Sequence, residues 1–344
     1  MKHYLLKEFT VGRPYYDTHI HPEEVLGGNK KYVCDSCHHT HVPSLLERLD
    51  FAPFSLRILR ALFFYAPKYI ISEIRKKYDH DTDIGKELEK AGIERGVIVP
   101  VAPINNCRDF LSRHTSDCFI PLGSLDIKNI VKENIQTELQ FLVDTHHIKG
   151  VKLHPNIQEF YPCPYRNDDE LQEKLLVYYK AINELGLYVL IHGGISYTHP
   201  DTNQEQFQET NFGLWQNFFD KSDDKEKSFF SLIQTPIVVA HLGHYNLTSV
   251  DFSSYKKILE TYTHLYFDTA GVGSHVIKEY LEKTGELGLS RLVFGSDALY
   301  FDIQASIDRV IFSLEEKVKE ISLEKKVALV FGETFREKVL GEVL

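Results

Sequence analysis

The chain has 344 residues, with 39 lysines and arginines against 49 aspartates and glutamates, which gives a formal net charge of −10. With 43% hydrophobic and 26% charged residues, the chain can bury a full core as two small domains or as one large α/β barrel. The negative charge, with no basic cluster longer than Arg75–Lys77, argues against a nucleic-acid partner.

The first residues, Met1–Glu8, lack the continuous apolar core of a signal peptide. The most apolar stretch, Ile58–Ile71, is too short to span a bilayer and is interrupted by charged residues and proline. The five cysteines are an odd number, thinly spread in a chain that is large enough to fold without disulfides. We therefore expect a cytoplasmic protein with reduced cysteines and no membrane partner.

Short runs rich in Val, Ile and Leu alternate with amphipathic stretches, a pattern that is typical of β-α units around a parallel sheet. The predicted strands are Tyr15–His21, Gly96–Ala102, Cys118–Leu125, Gly150–His154, Tyr188–His192, Ile237–His241, His264–Thr269 and Leu292–Ser296. The predicted helices include Asp83–Gly92, Ile130–Thr145, Glu170–Gly186, Tyr255–Tyr262 and Ile303–Ile321. Eight strand–helix pairs favour a single (β/α)8 TIM barrel that uses the whole chain, residues 1–344.

Two connections are longer than a barrel requires. Residues 22–82, after the first strand, contain an apolar and mostly helical stretch, Leu45–Ile74, for which we expect a lid or a homodimer contact. Residues 195–235, after the fifth strand, begin with polar residues and continue into an aromatic patch. Both connections leave the carboxyl ends of strands, the face on which barrel enzymes build their active sites.

Metal-binding residue types end several of the predicted strands. His19 and His21, at i and i+2 on the first strand, face the same side and could bind one cation, although a lone His-x-His is a weak signal. The repetition is more informative, because His192, His241 and Asp297 also follow apolar runs at strand ends. A set of unrelated buried histidines and solvated caps is improbable at four strand ends together.

The motifs Gly150-Val151-Lys152-Leu153-His154-Pro155, Ala240-His241-Leu242-Gly243 and Phe294-Gly295-Ser296-Asp297, together with the strand-end histidines, resemble the amidohydrolase superfamily. They are most similar to its amidohydrolase-related branch, which also contains the aminocarboxymuconate-semialdehyde and resorcylate decarboxylases. The closing segment Phe331–Arg336 resembles the usual final helix of that branch. The resemblance covers residues 15–21 and about 95–340, and it leaves out the insertion.

The resemblance implies that His19, His21, His192 and Asp297 are ligands of a divalent metal. It places His241 beside that metal as a further ligand or as a base and orienting group. Four N/O ligands with an open position suit Zn²⁺, while Mn²⁺ or Fe²⁺ stay possible. The metal would lower the pKa of its bound water to about 7, and Asp297 would act as general base and then as general acid.

Lys152 and His154 each have two interpretations. In two-metal relatives, a lysine at the end of the fourth strand is carbamylated and bridges the metals. Alternatively, Lys152 is a plain ammonium that binds a substrate carboxylate or pairs with an acid. His154 is a substrate contact or, since Pro155 follows it, a structural end of the strand.

The insertion contains a second cluster of potential ligands, Cys34-Asp35-Ser36-Cys37-His38-His39-Thr40-His41. A structural Zn²⁺ held by Cys34, Cys37 and one or two histidines such as His38 and His41 is chemically reasonable. A solvated, histidine-rich loop over the barrel mouth is slightly favoured.

These observations predict a metal-dependent hydrolase of a small-molecule amide, lactone or ester, with a substrate that carries a carboxylate. The alternative keeps the metal site and changes the reaction to non-oxidative decarboxylation or hydration of a carboxylated ring or dienoic acid. A TatD-like nuclease is disfavoured by the net charge. A non-enzymatic scaffold is disfavoured because all of the expected ligand types are present.

Overall fold

The computed structural model describes residues 3–22, 84–194, 211–222, 224–243, 252–298 and 301–342. Within these ranges, eight parallel strands form one sheet whose spatial order follows the chain. The strands are β1 Tyr16–Ile20, β2 Arg95–Ile98, β3 Phe119–Gly123, β4 Gly150–Leu153, β5 Tyr188–Ile191, β6 Ile237–Val239, β7 Leu265–Asp268 and β8 Leu292–Val293. Each lies at its predicted position, and β2 begins one residue earlier than predicted.

Backbone hydrogen bonds at the ends of β8 and β1 bring the two edges of the sheet together. The amide of Thr18 donates to the carbonyl of Phe294 at 2.9 Å, and the amide of His21 donates to that of Ala298 at 3.0 Å. In the opposite direction, the amide of Asp297 donates to the carbonyl of His19 at 3.0 Å. The predicted (β/α)8 TIM barrel is therefore confirmed.

Helices follow the strands along the chain. Their bounds are α1 Ile84–Ala91, α2 Cys107–Arg113, α3 Ile135–His146, α4 Pro155–Gln158, α5 Asp169–Glu184, α6 Phe229–Leu232, α7 Tyr255–Thr261, α8 Ser274–Leu289, α9 Ile303–Glu316 and α10 Leu323–Ala328, and a wider π-helical segment covers Leu329–Val339. Side-chain caps begin several of them: the carboxylates of Asp168 and Asp302 accept hydrogen bonds from the first turns of α5 and α9. The five predicted helices are confirmed within a few residues, whereas α2, α4, α6, α8 and α10 were not predicted.

The amino-terminal end of the barrel interior is closed by aromatic packing. Three tyrosines project into the barrel here: Tyr16 from β1, Tyr188 from β5 and Tyr266 from β7. We call them, together with Phe335, the foot cluster. The ring of Phe335, from the π-helical segment, lies 5.4 Å from that of Tyr16 and 5.8 Å from that of Tyr188. The interior is thus a filled core rather than a channel.

The long connection after β5 packs onto the barrel wall where the structure describes it. Trp215 stacks on Tyr255 with ring centroids 5.1 Å apart, and Phe218 stacks on Phe230 at 5.3 Å. The predicted aromatic patch is therefore a packing element. Residues 195–210 of this connection, and the insertion from residue 23 to residue 83, lie outside the described residues, so the lid and the dimer contact stay predictions. None of the helices that the structure describes is long and apolar enough to cross a membrane.

Candidate metal centre

An irregularity in β1 directs both of its histidines into the barrel mouth. The pairing register of β1 with β2 shifts between Asp17 and Ile20. Tyr16 projects into the barrel, while Ile20 belongs to the outer core between strands and helices, so the inside–outside alternation slips between them. Bulges of this kind re-aim side chains. Here the shift leaves His19 and His21 on the interior face, as predicted.

Three ligand atoms converge at the junction of β1 and β8. The two Nε2 atoms of His19 and His21 lie 3.1 Å apart, and Asp297 Oδ1 lies 3.8 Å from the first and 3.6 Å from the second. A triangle with these sides has a circumscribed radius of about 2.0 Å, which equals the bond length from Zn²⁺ to nitrogen or oxygen. A single cation can therefore contact all three atoms without rearrangement.

The hydrogen bonds of the opposite ring nitrogens determine where the protons lie. Nδ1 of His19 lies 2.9 Å from Asp268 Oδ2, and Nδ1 of His21 lies 3.1 Å from the carbonyl oxygen of Val99. Carboxylates and carbonyls only accept, so each Nδ1 carries a proton and donates it. Burial holds the pKa of both imidazoles well below the usual range, so the rings are neutral. Each Nε2 atom then carries a lone pair on the side of the other, and a cation shared by the two atoms would stabilise this arrangement.

The same reasoning applies to the histidines of β5 and β6. His241 Nδ1 donates to the carbonyl of Ala270 at 2.7 Å, and burial lowers the pKa of His241 to about 3. Its Nε2, 3.2 Å from Nδ1 of His192, is therefore an acceptor. His192 must donate from Nδ1, which makes Nε2 the nitrogen that can bind a metal. His241 thus orients His192 by a hydrogen bond.

Lys152 and His154 complete this end of the barrel from β4. The Nζ atom of Lys152 is fully buried and lies 3.2 Å from His19 Nε2. Burial lowers the pKa of Lys152 to about 8, against the opposing effect of two nearby carboxylates. His154 stacks on His192 with centroids 4.1 Å apart, and its Nδ1 accepts from the amide of Ile157 to cap α4. The structural interpretation of His154 thus has direct support.

Asp297 and His241 occupy unusual backbone conformations. Their φ angles are 61° and 60°, in the left-handed region that is uncommon for residues other than glycine, although asparagine, aspartate and histidine adopt it more often than most. Strain of this kind concentrates at functional sites. Burial raises the pKa of Asp297 to about 8, whereas a divalent cation beside it favours the carboxylate.

Two buried carboxylates of this site were not among the sequence candidates. Asp268 ends β7 and contacts both His19 and the amide of His241. Asp17, on β1, accepts hydrogen bonds from the amides of His19 and Ser296 through Oδ1. Alternation along β7 was a usable signal, because Tyr266 faces the interior and Asp268 follows at i+2.

We call this group the mouth cluster; its members are His19, His21, Lys152, His154, His192, His241, Asp268 and Asp297. All of them are buried, and the imidazoles and carboxylates among them suit a divalent cation. The second predicted site, at Cys34, Cys37, His38 and His41, lies outside the described residues and stays a prediction.

Comparisons with known proteins agree with this fold. The sequence model of the amidohydrolase family matches residues 81–342. A uronate isomerase from Bacillus halodurans is similar in structure, with 11% identity, a TM-score of 0.55, and coverage of 98% of this chain and 96% of its own. No curated protein matches the sequence significantly.

Two decarboxylases also share the fold. The 5-carboxyvanillate decarboxylase of Sphingomonas paucimobilis has 12% identity and a TM-score of 0.51, with coverage of 96% of this chain and 99% of its own. The 5-carboxyvanillate decarboxylase of Novosphingobium aromaticivorans has 12% identity and a TM-score of 0.52, with coverage of 95% of this chain and 96% of its own. Its structure is a complex with manganese and 4-hydroxy-3-methoxy-5-nitrobenzoic acid. At such identities the likeness concerns the fold.

Proposed function

The chain belongs to the amidohydrolase family, and on this premise we propose that it is a metal-dependent hydrolase of a small-molecule amide, lactone or ester. The observation that carries the proposal is the convergence of His19 Nε2, His21 Nε2 and Asp297 Oδ1 on one point. His192 Nε2 is the fourth ligand in this proposal. Zn²⁺ is the metal that such a nitrogen-rich set suits best, with Mn²⁺ and Fe²⁺ as the alternatives.

When bound, the cation supplies Lewis acidity: it acidifies a coordinated water molecule and polarises the substrate carbonyl. Asp297 accepts a proton from the attacking water while the water oxygen forms a bond to the carbonyl carbon. Asp297 then gives this proton to the leaving nitrogen or oxygen as the scissile bond breaks. The products are a carboxylic acid and an amine or alcohol. His241 keeps His192 oriented throughout this sequence.

A second candidate reaction, non-oxidative decarboxylation, is favoured by Lys152. A buried amine beside the metal position is suited to bind a substrate carboxylate, because the negative charge of that group favours the ammonium form against the effect of burial. In this reaction the bond from carbon to the carboxylate breaks, CO₂ leaves, and the carbon keeps the electron pair. That carbon then takes a proton from Asp297 or His241, which regains one from solvent. Solved structures with the same fold include decarboxylases of a carboxylated phenol.

The two reactions are separated by running the enzyme in H₂¹⁸O and in D₂O. We would load the metal-free protein with Zn²⁺, Mn²⁺ or Fe²⁺ and screen carboxylated amides, lactones and phenols. Hydrolysis puts one ¹⁸O atom into the acid product, whereas decarboxylation releases CO₂ and puts one deuterium on carbon. A His21→Ala variant serves as the control that should lack both products. If the wild-type protein takes up none of Zn²⁺, Mn²⁺ and Fe²⁺, the proposal is wrong.

A further inference from the structure

Asp268 is a fully buried carboxylate whose two oxygens have different partners. Oδ1 accepts from two backbone amides, that of His241 at 2.7 Å and that of Ala270 at 3.1 Å. Oδ2 lies 2.9 Å from His19 Nδ1. The amides can only donate, so they fix the orientation of the carboxylate and leave Oδ2 aimed at the imidazole.

We propose that Asp268 is a positioning residue that locks His19 in the tautomer competent to bind the cation. This inference rests on the proposed metal site. As a carboxylate, Asp268 accepts at Oδ2, so the proton of His19 stays on Nδ1, and Nε2 keeps its lone pair toward His21 and Asp297. The same carboxylate also fixes the left-handed turn at His241, whose ring orients His192. One side chain at the end of β7 therefore controls two of the proposed ligands.

The substitution Asp268→Asn reverses the lock with little change of shape. The two amides of His241 and Ala270 still require an acceptor, so the Asn oxygen takes the place of Oδ1. The NH₂ group then faces His19 Nδ1 and can donate a hydrogen bond to it only if Nδ1 carries a lone pair and no proton. The His19 proton moves to Nε2, from which it can donate to His21 Nε2, 3.1 Å away. Lys152 Nζ, 3.2 Å from His19 Nε2 in the wild type, loses this acceptor in the variant, and His19 cannot bind the cation.

Asp17→Asn is a matched control, since it removes a carboxylate from another buried interior residue of the same barrel. Asp17 Oδ1 accepts from the amides of His19 and Ser296, and Oδ2 has no hydrogen-bond partner among the described residues. An Asn NH₂ group in the place of Oδ2 meets no side chain whose tautomer it could reverse. This control shows what the replacement of a neighbouring buried carboxyl group does to binding when no tautomer is reversed.

The test measures Zn²⁺, Mn²⁺ and Fe²⁺ affinity of the full-length, metal-free proteins by equilibrium dialysis. We expect Asp268→Asn to weaken binding about 10- to 100-fold, the usual cost of removing such a partner, while Asp17→Asn changes it less than about threefold. If the wild type binds none of these metals, that result overturns the proposed function rather than the positioning role of Asp268. Equal affinity of the wild type and a folded Asp268→Asn overturns the lock.

A second readout does not depend on metal. Long-range ¹H–¹⁵N spectra of ¹⁵N-histidine protein, with His19 assigned by subtraction of a His19→Gln spectrum, report which nitrogen carries the proton. We expect Nδ1–H in the wild type and Nε2–H in Asp268→Asn. A purely structural role for Asp268 would leave the tautomer unchanged. Should Asp268→Asn fail to fold, the wild-type spectrum still decides, because Nε2–H there overturns the proposal.

Discussion

The two ends of the barrel interior are built on opposite principles. Tyr188, at the start of β5, belongs to the foot cluster, and His192, directly after β5, belongs to the mouth cluster. The Tyr188 hydroxyl is buried without a hydrogen-bond partner among the described residues, and its ring contacts Phe335. At His192, by contrast, the position of a single proton is fixed by His241. The foot is held by packing, and the mouth by directed hydrogen bonds.

This difference separates stability from function. Aromatic burial at the foot stabilises the fold without requiring any particular proton position. At the mouth, buried imidazoles and carboxylates cost desolvation energy, which a bound cation offsets. We therefore expect substitutions at the foot to change the free energy of unfolding, and substitutions at the mouth to change catalysis and metal binding.

The largest expected effect is that of Asp297→Asn on catalysis. The amide keeps the shape of the side chain but cannot take a proton from water, so we expect kcat to fall about 10³-fold with the substrate identified by the screen. The midpoint of thermal unfolding of the metal-free protein should stay within a few degrees. A variant that retains more than a tenth of the wild-type kcat would contradict the role proposed for Asp297.

The opposite pattern is expected for Phe335→Ala at the foot. Removing this buried ring should lower the free energy of unfolding by about 3–5 kcal/mol, because the surrounding tyrosines cannot fill the cavity. Urea unfolding measures this loss, and metal titration of the still-folded protein should give the wild-type affinity. A parallel loss of metal affinity would show that the two ends of the barrel are not independent.

Metal binding itself should stabilise the fold by a smaller amount. Free Zn²⁺ or Mn²⁺ at 100 times its dissociation constant should add about 2.7 kcal/mol to the free energy of unfolding. His21→Ala should remove this increment, and Phe335→Ala should retain it despite its lower starting stability. Urea curves with and without metal give the comparison. The same increment in both variants would mean that the metal binds elsewhere.

The fold could be predicted because each strand carries a local signal: a short apolar run followed by a turn. The histidines and Asp297 could be proposed as ligands because their residue types recur at strand ends. Asp268 was not proposed: alternation with Tyr266 was a local signal for an inward side chain, but an acid after the apolar run Leu265–Phe267 is equally typical of a solvated cap. Its contact with His19 spans 249 positions in the chain and depends on the register with which the barrel closes. That register depends on pairing between distant parts of the chain, so it cannot be deduced from the residues around Asp268.

The irregularity in β1 was missed for a similar reason. The His-x-His spacing correctly predicted that His19 and His21 share a face, but not that a shift after Asp17 chooses which face. That choice follows from closure of the barrel, in which the amide of Thr18 binds the carbonyl of Phe294. Local spacing thus predicted the pair, and long-range pairing determined its direction.

The smallest expected effect sharpens the contrast between packing and hydrogen bonding. In Tyr188→Phe the aromatic contact with Phe335 stays, and a buried hydroxyl without a partner among the described residues is removed. The free energy of unfolding should therefore change by less than about 1 kcal/mol, or increase.

Tyr15→Phe is the matched control, since the Tyr15 hydroxyl lies 2.9 Å from the carbonyl oxygens of both Phe9 and Val11. Its loss should cost about 1–2 kcal/mol, because those two carbonyls lose a buried donor. Urea unfolding of the two variants side by side makes the comparison. If Tyr188→Phe proves the more costly, its hydroxyl has a partner, and the foot relies on directed hydrogen bonds just as the mouth does.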